Sequence, residues 1–133
     1  MYSNADLYGV NKEKIVVSGD SFGGNIATGA ALLLKDRREH KIKCLILLQP
    51  MINDYLYSKP RKAATKGEQN FAELAKKSFE LLSADFEHQK NDPMVYPGKM
   101  SLAQAKQLPP TVLITAEFDL FKRDAYDFKQ KLQ

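Results

Sequence analysis

The chain has 133 residues, of which 44% are hydrophobic and 27% are charged, and its formal net charge is +4. This composition is typical of a globular domain and excludes a low-complexity or collagen-like chain. No apolar stretch approaches the roughly 18 residues that span a bilayer, and residues 1–10 lack the basic start and apolar centre of a signal peptide.

Strand-like and helix-like segments alternate along the first half of the chain. Residues 4–8 are predicted to end a helix that Gly9 closes, and the β-branched run 14–18 is predicted to form a short strand. Residues 21–39 form a helix whose apolar positions (Ile26, Ala27, Ala30, Ala31, Leu33 and Leu34) cover so much of its circumference that we expect it to be mostly buried. Residues 41–48 form a second strand, which we expect to be covered on both faces, with Cys44 as a buried thiol.

The second half of the chain completes the pattern. Residues 68–83 have the period of an amphipathic helix, residues 111–116 form a third strand, and residues 123–132 form a closing helix. Strand, helix, strand, excursion, strand, helix is the order found in a parallel sheet flanked by helices. The predicted fold class is therefore α/β, with three layers and a parallel sheet.

The sharpest local motif is a G-x-S-x-G sequence between the first strand and the first helix. Gly19 and Gly23 flank Ser21 at a spacing that allows a tight strand-to-helix corner, where the serine takes a strained backbone conformation. Such a corner exposes the serine hydroxyl above the sheet edge and brings the amide of Phe22 within reach of a developing oxyanion. Gly24 is expected to let the helix pack closely on the sheet. The motif indicates a nucleophilic serine.

A glycine-rich corner of this kind can instead hold a phosphate. No lysine stands at the phosphate-loop position, and G-x-G-x-x-G is absent, so nucleotide binding is the weaker interpretation. The basic residues crowd into residues 35–43 and 61–66 without a recognisable nucleic-acid motif, so we predict no nucleic-acid partner. Neither histidine has a second ligand at metal-binding spacing, and no metal or cofactor is predicted.

Asp119 follows the third strand directly. A carboxylate at the carboxyl end of a later parallel strand lies on the same sheet edge as the serine corner, where it could orient a histidine. The alternative is that Asp119 or Asp124 caps the following helix, and Asp124 is the better capping candidate because it lies closer to that helix.

The segments KIVVSGDSFGGNIA and LPPTVLITAEFDLFKRD resemble the hormone-sensitive-lipase-like esterases, the α/β-hydrolase group that includes arylacetamide deacetylases. The resemblance runs over nearly the whole chain and is weakest between residues 53 and 89. It implies that Ser21 is the nucleophile, Asp119 the triad acid and the Phe22 amide one oxyanion donor. The implied activity is hydrolysis of small-molecule carboxylic esters through an acyl-serine intermediate, without a cofactor.

The chain departs from the family pattern in three respects. The family's histidine follows the acid by some tens of residues, its histidine-glycine-glycine loop precedes the serine strand, and neither is present here. Phe22 stands where the family usually carries alanine. We therefore expect residues 1–133 to be a partial catalytic domain that is weakly active or inactive alone. The alternative is a noncatalytic truncated hydrolase that acts as a binding or interaction module.

The two histidines and several large apolar residues are the remaining candidates for functional roles. His40 and His88 lie in polar surroundings and precede Asp119, so neither is predicted to be catalytic. Phe71, Leu74, Phe79 and Leu82 could line an acyl pocket, but core packing is favoured, as it is for Met51, Met94 and Met100. The sequence leaves the oligomeric state open, and localisation open between the cytoplasm and a membrane anchor in a preceding segment.

Overall fold

A computed structural model describes residues 2–39, 41–53, 65–82, 85–89 and 91–133. Three parallel strands in the order β1, β2, β3 form the sheet of the described residues. The helices and strands are β1 (Val16–Asp20), α1 (Phe22–Asp36), β2 (Cys44–Leu48), α2 (Lys66–Leu82), α3 (Phe86–Gln89), α4 (Leu102–Ala105), β3 (Thr111–Ile114) and α5 (Lys122–Leu132).

The three predicted strands and the three long helices are confirmed, with shifted ends. β1 runs two residues further than predicted and includes Gly19, while α1 ends at Asp36 because Arg38 takes a left-handed conformation with φ 53°. Gly9, with φ 64°, closes a turn after the short 3-10 segment Tyr2–Asn4, so the predicted helix end at residues 4–8 is a turn. Two short helices, α3 and α4, were not predicted; α4 begins at a capping box formed by Ser101 and Gln104.

The main core lies on one face of the sheet, beneath α1, α4 and α5. Leu45 and Leu47 of β2 are fully buried there, and Phe128 of α5 joins them. The other buried members of this core are Ala27, Ala31, Leu32, Ile52, Met100 and Ala105. Removal of these apolar side chains from water favours folding, so the contact between the sheet and its helices on this face stabilises the fold.

The opposite face of the sheet is left open by the described residues. Val16, Val112 and Ile114 remain 48%, 47% and 49% exposed, and strand register places them on the face that alternates with the buried one. We call this surface, made of Val16, Cys44, Ile46, Leu48, Val112 and Ile114, the open sheet face. The prediction that β2 is covered on both faces is therefore wrong for the described residues, and the Cys44 thiol is only half-buried because it lies on this face.

The expectation that α1 is mostly buried is also wrong for two of its apolar positions. Ile26 is 59% exposed and Ala30 is exposed, because the helix packs through a single face onto β1 and β2. Polar and small residues share that buried face with Ala27, Ala31 and Leu32; they are Gly24, Asn25, Thr28 and Gly29. Among the described residues, none of the helices is both long and apolar enough to cross a membrane.

Candidate active site

Ser21 occupies a strained corner between β1 and α1. Its backbone angles, φ 52° and ψ −116°, lie in a region that residues with a side chain rarely adopt and that costs of order 1–3 kcal/mol. Three backbone hydrogen bonds hold the corner. The Ser21 amide donates to the Leu48 carbonyl at 2.9 Å, and the Ser21 carbonyl accepts from the Gly24 and Met51 amides at 3.1 Å each. Ser21 itself is partly exposed, as the G-x-S-x-G motif predicts.

Of the three glycines around Ser21, Gly19 and Gly24 have no room for a side chain. A Cβ atom added to Gly19 would lie 2.1 Å from the Gly23 carbonyl oxygen, and one added to Gly24 would lie 2.7 Å from Pro50 Cβ. Strand and helix approach closely at this corner because neither position carries a side chain. The requirement expected at Gly23 is not found, since a Cβ there would meet no described atom within 4 Å.

Phe22 is the first residue of α1, so its amide belongs to the helix turn where the dipole favours negative charge. Its partly buried ring packs against a second hydrophobic cluster, made of Met51, Ala75, Tyr96 and Phe121. We call this group the edge cluster. It lies beside the carboxyl ends of the strands and joins the residues that follow β1, β2 and β3.

Asp119 lies in the loop between β3 and α5, and its two carboxylate oxygens have different surroundings. Oδ1 accepts a hydrogen bond from the Phe121 amide at 2.9 Å. Oδ2 is buried and has no hydrogen-bond partner among the described residues. Buried polar atoms are nearly always paired, so an unpaired carboxylate oxygen indicates a place for a donor.

The capping alternative for these aspartates is not realised. α5 has Phe121 at its N-cap position, with no capping hydrogen bond from a side chain. Asp119 instead forms a turn that precedes the helix. Asp124, the predicted cap, lies inside the first turn of α5 and is 3% exposed.

The parallel register places Ser21 and Asp119 at the same edge of the sheet. Ser21 follows Asp20, the last residue of β1, and the register pairs Asp20 with Leu48 and Leu48 with Ile114, where β3 ends. β2 lies between the two strands, so the strands that present the serine and the carboxylate are separated by roughly 10 Å. A group that bridges serine and carboxylate would lie above the end of β2.

His88 is paired with Asp85 and not with Asp119. Its ring Nδ1 lies 2.6 Å from Asp85 Oδ1, and 85% of its side chain is exposed. His40 falls outside the described residues. No group of three or more potential metal ligands occurs within the described part of the chain.

The prediction that the aromatic and leucine candidates of α2 pack in the core is wrong for the two whose exposure is described. Phe71 and Leu74 are 50% and 61% exposed, so they are not core residues of the described structure, whereas the side chains of Phe79 and Leu82 lie outside what it describes. Phe71 meets the ring of Phe121 edge-on, with ring centroids 6.4 Å apart. This contact joins α2 to the loop that carries the carboxylate. The preference is confirmed for Met51 and Met100, which are buried, while Met94 packs against the main core.

Sequence reasoning missed Asn25, which lies one turn after Ser21. It is 3% exposed, and its Nδ2 donates to the carbonyls of Met51 at 3.0 Å and Val95 at 2.8 Å. The available signal was an amide side chain on the face of a helix that otherwise carries small and apolar residues toward the sheet.

Comparisons with known proteins identify the family of the chain. A family model described as alpha/beta hydrolase fold matches residues 1–133. A protein of Acanthamoeba polyphaga mimivirus named as an alpha/beta hydrolase is 29% identical over 98% of the chain, which covers 38% of that protein. An esterase of Acinetobacter venetianus is 29% identical over 100% of the chain, which covers 43% of it.

Solved structures show the same fold. A Rhizomucor miehei esterase superposes with a TM-score of 0.81 at 24% identity, covering 99% of this chain and 41% of its own. The chain thus spans about two fifths of the length of these relatives. The match over residues 1–133 shows that the chain belongs to the α/β-hydrolase fold family, in its hormone-sensitive-lipase-like group.

Proposed function

We propose that this chain carries the nucleophile and the acid of a serine-dependent carboxylic ester hydrolase. Ser21 is the nucleophile and Asp119 is the acid. The observation that carries the proposal is the buried Oδ2 of Asp119, which has no partner among the described residues while Oδ1 is held by the Phe121 amide. A histidine N–H donating to this oxygen would give the carboxylate its missing partner at the sheet edge that also presents Ser21.

The chemistry follows from these positions. The Ser21 Oγ–H gives its proton to the histidine as Oγ forms a bond to the ester carbonyl carbon. The negative charge on the carbonyl oxygen is stabilised by the Phe22 amide at the start of α1. The intermediate then breaks its bond to the alcohol oxygen, which takes the proton from the histidine, and water releases the acyl group by the same steps in reverse order. Asp119 holds the ring orientation and stabilises its positive charge.

The histidine is proposed to come from outside residues 1–133. His88 is held by Asp85 on the surface, and the family resemblance implies a catalytic histidine that follows the acid in the sequence. Since the chain spans about two fifths of its relatives, we propose that residues 1–133 are part of a larger catalytic domain. Alone, the chain is expected to be inactive or nearly so, because a serine without its base retains only residual catalysis. No cofactor is needed.

The decisive experiment measures hydrolysis of p-nitrophenyl acetate. The chain is compared with a longer form extended at both ends, which adds a family-type histidine-glycine-glycine loop before residue 1 and a histidine segment after residue 133, each with and without Ser21→Ala. Ser18→Ala is the matched control, since Ser18 is an exposed serine three residues away on β1. We expect turnover by the longer form that is lost with Ser21→Ala and retained with Ser18→Ala. Hydrolysis that survives Ser21→Ala would contradict the proposal.

The open sheet face supports a second candidate function. Three half-exposed aliphatic side chains on one sheet surface are typical of an interaction site, so the chain could serve as a noncatalytic binding module. A folded longer form that neither hydrolyses the ester nor reacts at Ser21 with a fluorophosphonate probe would favour this second function.

A further inference from the structure

We infer that Asn25 is a positioning residue for the serine corner, an inference that rests on the proposed role of Ser21. Asn25 touches no reacting atom. It acts through backbone groups, because its side-chain amide binds the segment that leaves β2 and the segment that returns toward β3.

A chain of two hydrogen bonds connects Asn25 to the nucleophile. Asn25 Nδ2 donates to the Met51 carbonyl at 3.0 Å, and the Met51 amide donates to the Ser21 carbonyl at 3.1 Å. Asn25 therefore fixes the peptide segment whose amide helps to hold the strained serine. The side chain is 3% exposed, so water cannot readily replace it as a donor.

The second hydrogen bond of Asn25 connects it to the edge cluster. Nδ2 also donates to the Val95 carbonyl at 2.8 Å, and Val95 packs against the edge cluster. That cluster contains the ring of Phe121, whose amide holds Asp119 Oδ1. One amide group thus joins the Met51 segment, which holds the Ser21 carbonyl, to the Val95 segment, which packs against the edge cluster.

The strain at Ser21 makes this support necessary. A residue at φ 52° returns toward an ordinary conformation unless its surroundings hold it. When Asn25 is lost, the Met51 segment is expected to open locally and the serine hydroxyl to spend less time in its reactive position. Substrate binding is expected to change little, since the Asn25 side chain is buried and bonded to backbone; the loss would fall on kcat rather than on KM.

Thr28 offers a matched control. It lies on the same face of α1, is fully buried, and its Oγ1 donates to the Gly24 carbonyl at 2.7 Å. Thr28→Ala therefore removes a buried hydrogen bond from the same helix without removing a bond to the Met51 or Val95 segments.

The first readout is amide hydrogen exchange measured by NMR on the chain itself. Exchange at the Met51 amide is compared with exchange at the Leu45 amide, which donates to the Pro110 carbonyl within the sheet. In Asn25→Ala we expect Met51 to lose about tenfold in protection relative to Leu45, a factor equal to about 1.4 kcal/mol. In Thr28→Ala we expect the ratio to stay unchanged. Asn25→Ser provides the same comparison if Asn25→Ala does not fold.

The second readout uses the longer, ester-hydrolysing form. Asn25→Ala is expected to lower kcat about tenfold with KM within about twofold of the parent, while Thr28→Ala changes neither. An unchanged exchange ratio in Asn25→Ala, or an equal change in Thr28→Ala, overturns the inference. Absence of ester hydrolysis in the parent protein would refute the proposed function instead, and the exchange experiment would still decide the role of Asn25.

Discussion

Two glycines of the serine corner should respond in opposite ways to the same substitution. In Gly19→Ala, the new Cβ would lie 2.1 Å from the Gly23 carbonyl oxygen and 2.3 Å from its carbon, well inside the 3.0 Å below which real Cβ contacts essentially do not occur. Both contacts are with backbone, so no side chain can rotate away and β1 must separate from α1. Overpacking of this kind costs about 2–3 kcal/mol. In Gly23→Ala, the added methyl meets no described atom within 4 Å and lies in the first turn of α1. Alanine should stabilise that helix by up to about 1 kcal/mol.

Urea unfolding followed by circular dichroism measures both variants against the parent chain. The two free energies of unfolding should differ by about 3 kcal/mol, which for a chain of this size corresponds to a difference of about 10 °C in Tm. Equal stabilities, or a larger loss in Gly23→Ala, would show that the corner is not closed by contact between Gly19 and the Gly23 carbonyl.

Three further predictions concern the same edge of the sheet. Ser21→Gly should raise the free energy of unfolding by about 1 kcal/mol, because glycine adopts a positive φ without strain. Ser18→Gly, in the regular strand, should lower the free energy of unfolding. Urea titrations in which both variants shift the free energy in the same direction would contradict this prediction. Asp119→Asn keeps an oxygen that can accept from the Phe121 amide, so its free energy of unfolding should stay within about 0.5 kcal/mol of the parent, while Asp119→Ala should lose about 1 kcal/mol. In the longer form that hydrolyses esters, both variants should reduce kcat by on the order of 10⁴-fold. Unchanged kinetics in these variants would exclude Asp119 as the acid. Phe71→Ala should lower the free energy of unfolding by about 1 kcal/mol, because the edge-on contact with the Phe121 ring is lost. Leu81→Ala, at a site 87% exposed, should change it by less than about 0.5 kcal/mol. Equal shifts in Tm for the two variants would mean that the ring contact does not stabilise the fold.

The serine corner and its sheet could be predicted because their determinants are local. Gly19, Ser21 and Gly24 follow a β-branched run and precede an apolar helix, and each constraint acts over a few residues. The alternation of strands and helices then determines a parallel sheet, and a parallel sheet places Ser21 and Asp119 at one edge. The ends of the predicted strands and long helices moved where capping and left-handed residues such as Arg38 decide the boundary, and the short helices α3 and α4 were missed.

Burial could not be predicted in the same way. Apolar periodicity identifies the apolar face of a helix, but it does not show which other part of the chain packs against that face. Ile26 and Phe71 carry the pattern of buried helix positions and are half or more exposed in the described structure. Asn25 was missed for a related reason. Its two acceptors are carbonyls 26 and 70 residues away in sequence, a pairing that only the folded chain reveals.

The open sheet face has a practical consequence for work on the isolated chain. Half-exposed valine and isoleucine side chains on a flat strand surface attract one another between molecules, and a net charge of +4 repels only weakly at physiological salt. Self-association should therefore grow with protein concentration and with ionic strength, so spectroscopic samples benefit from dilution and low salt. A lysine in place of Val112 would put a charge on the open sheet face, and we expect it to reduce self-association without changing the sheet edge that carries Ser21 and Asp119.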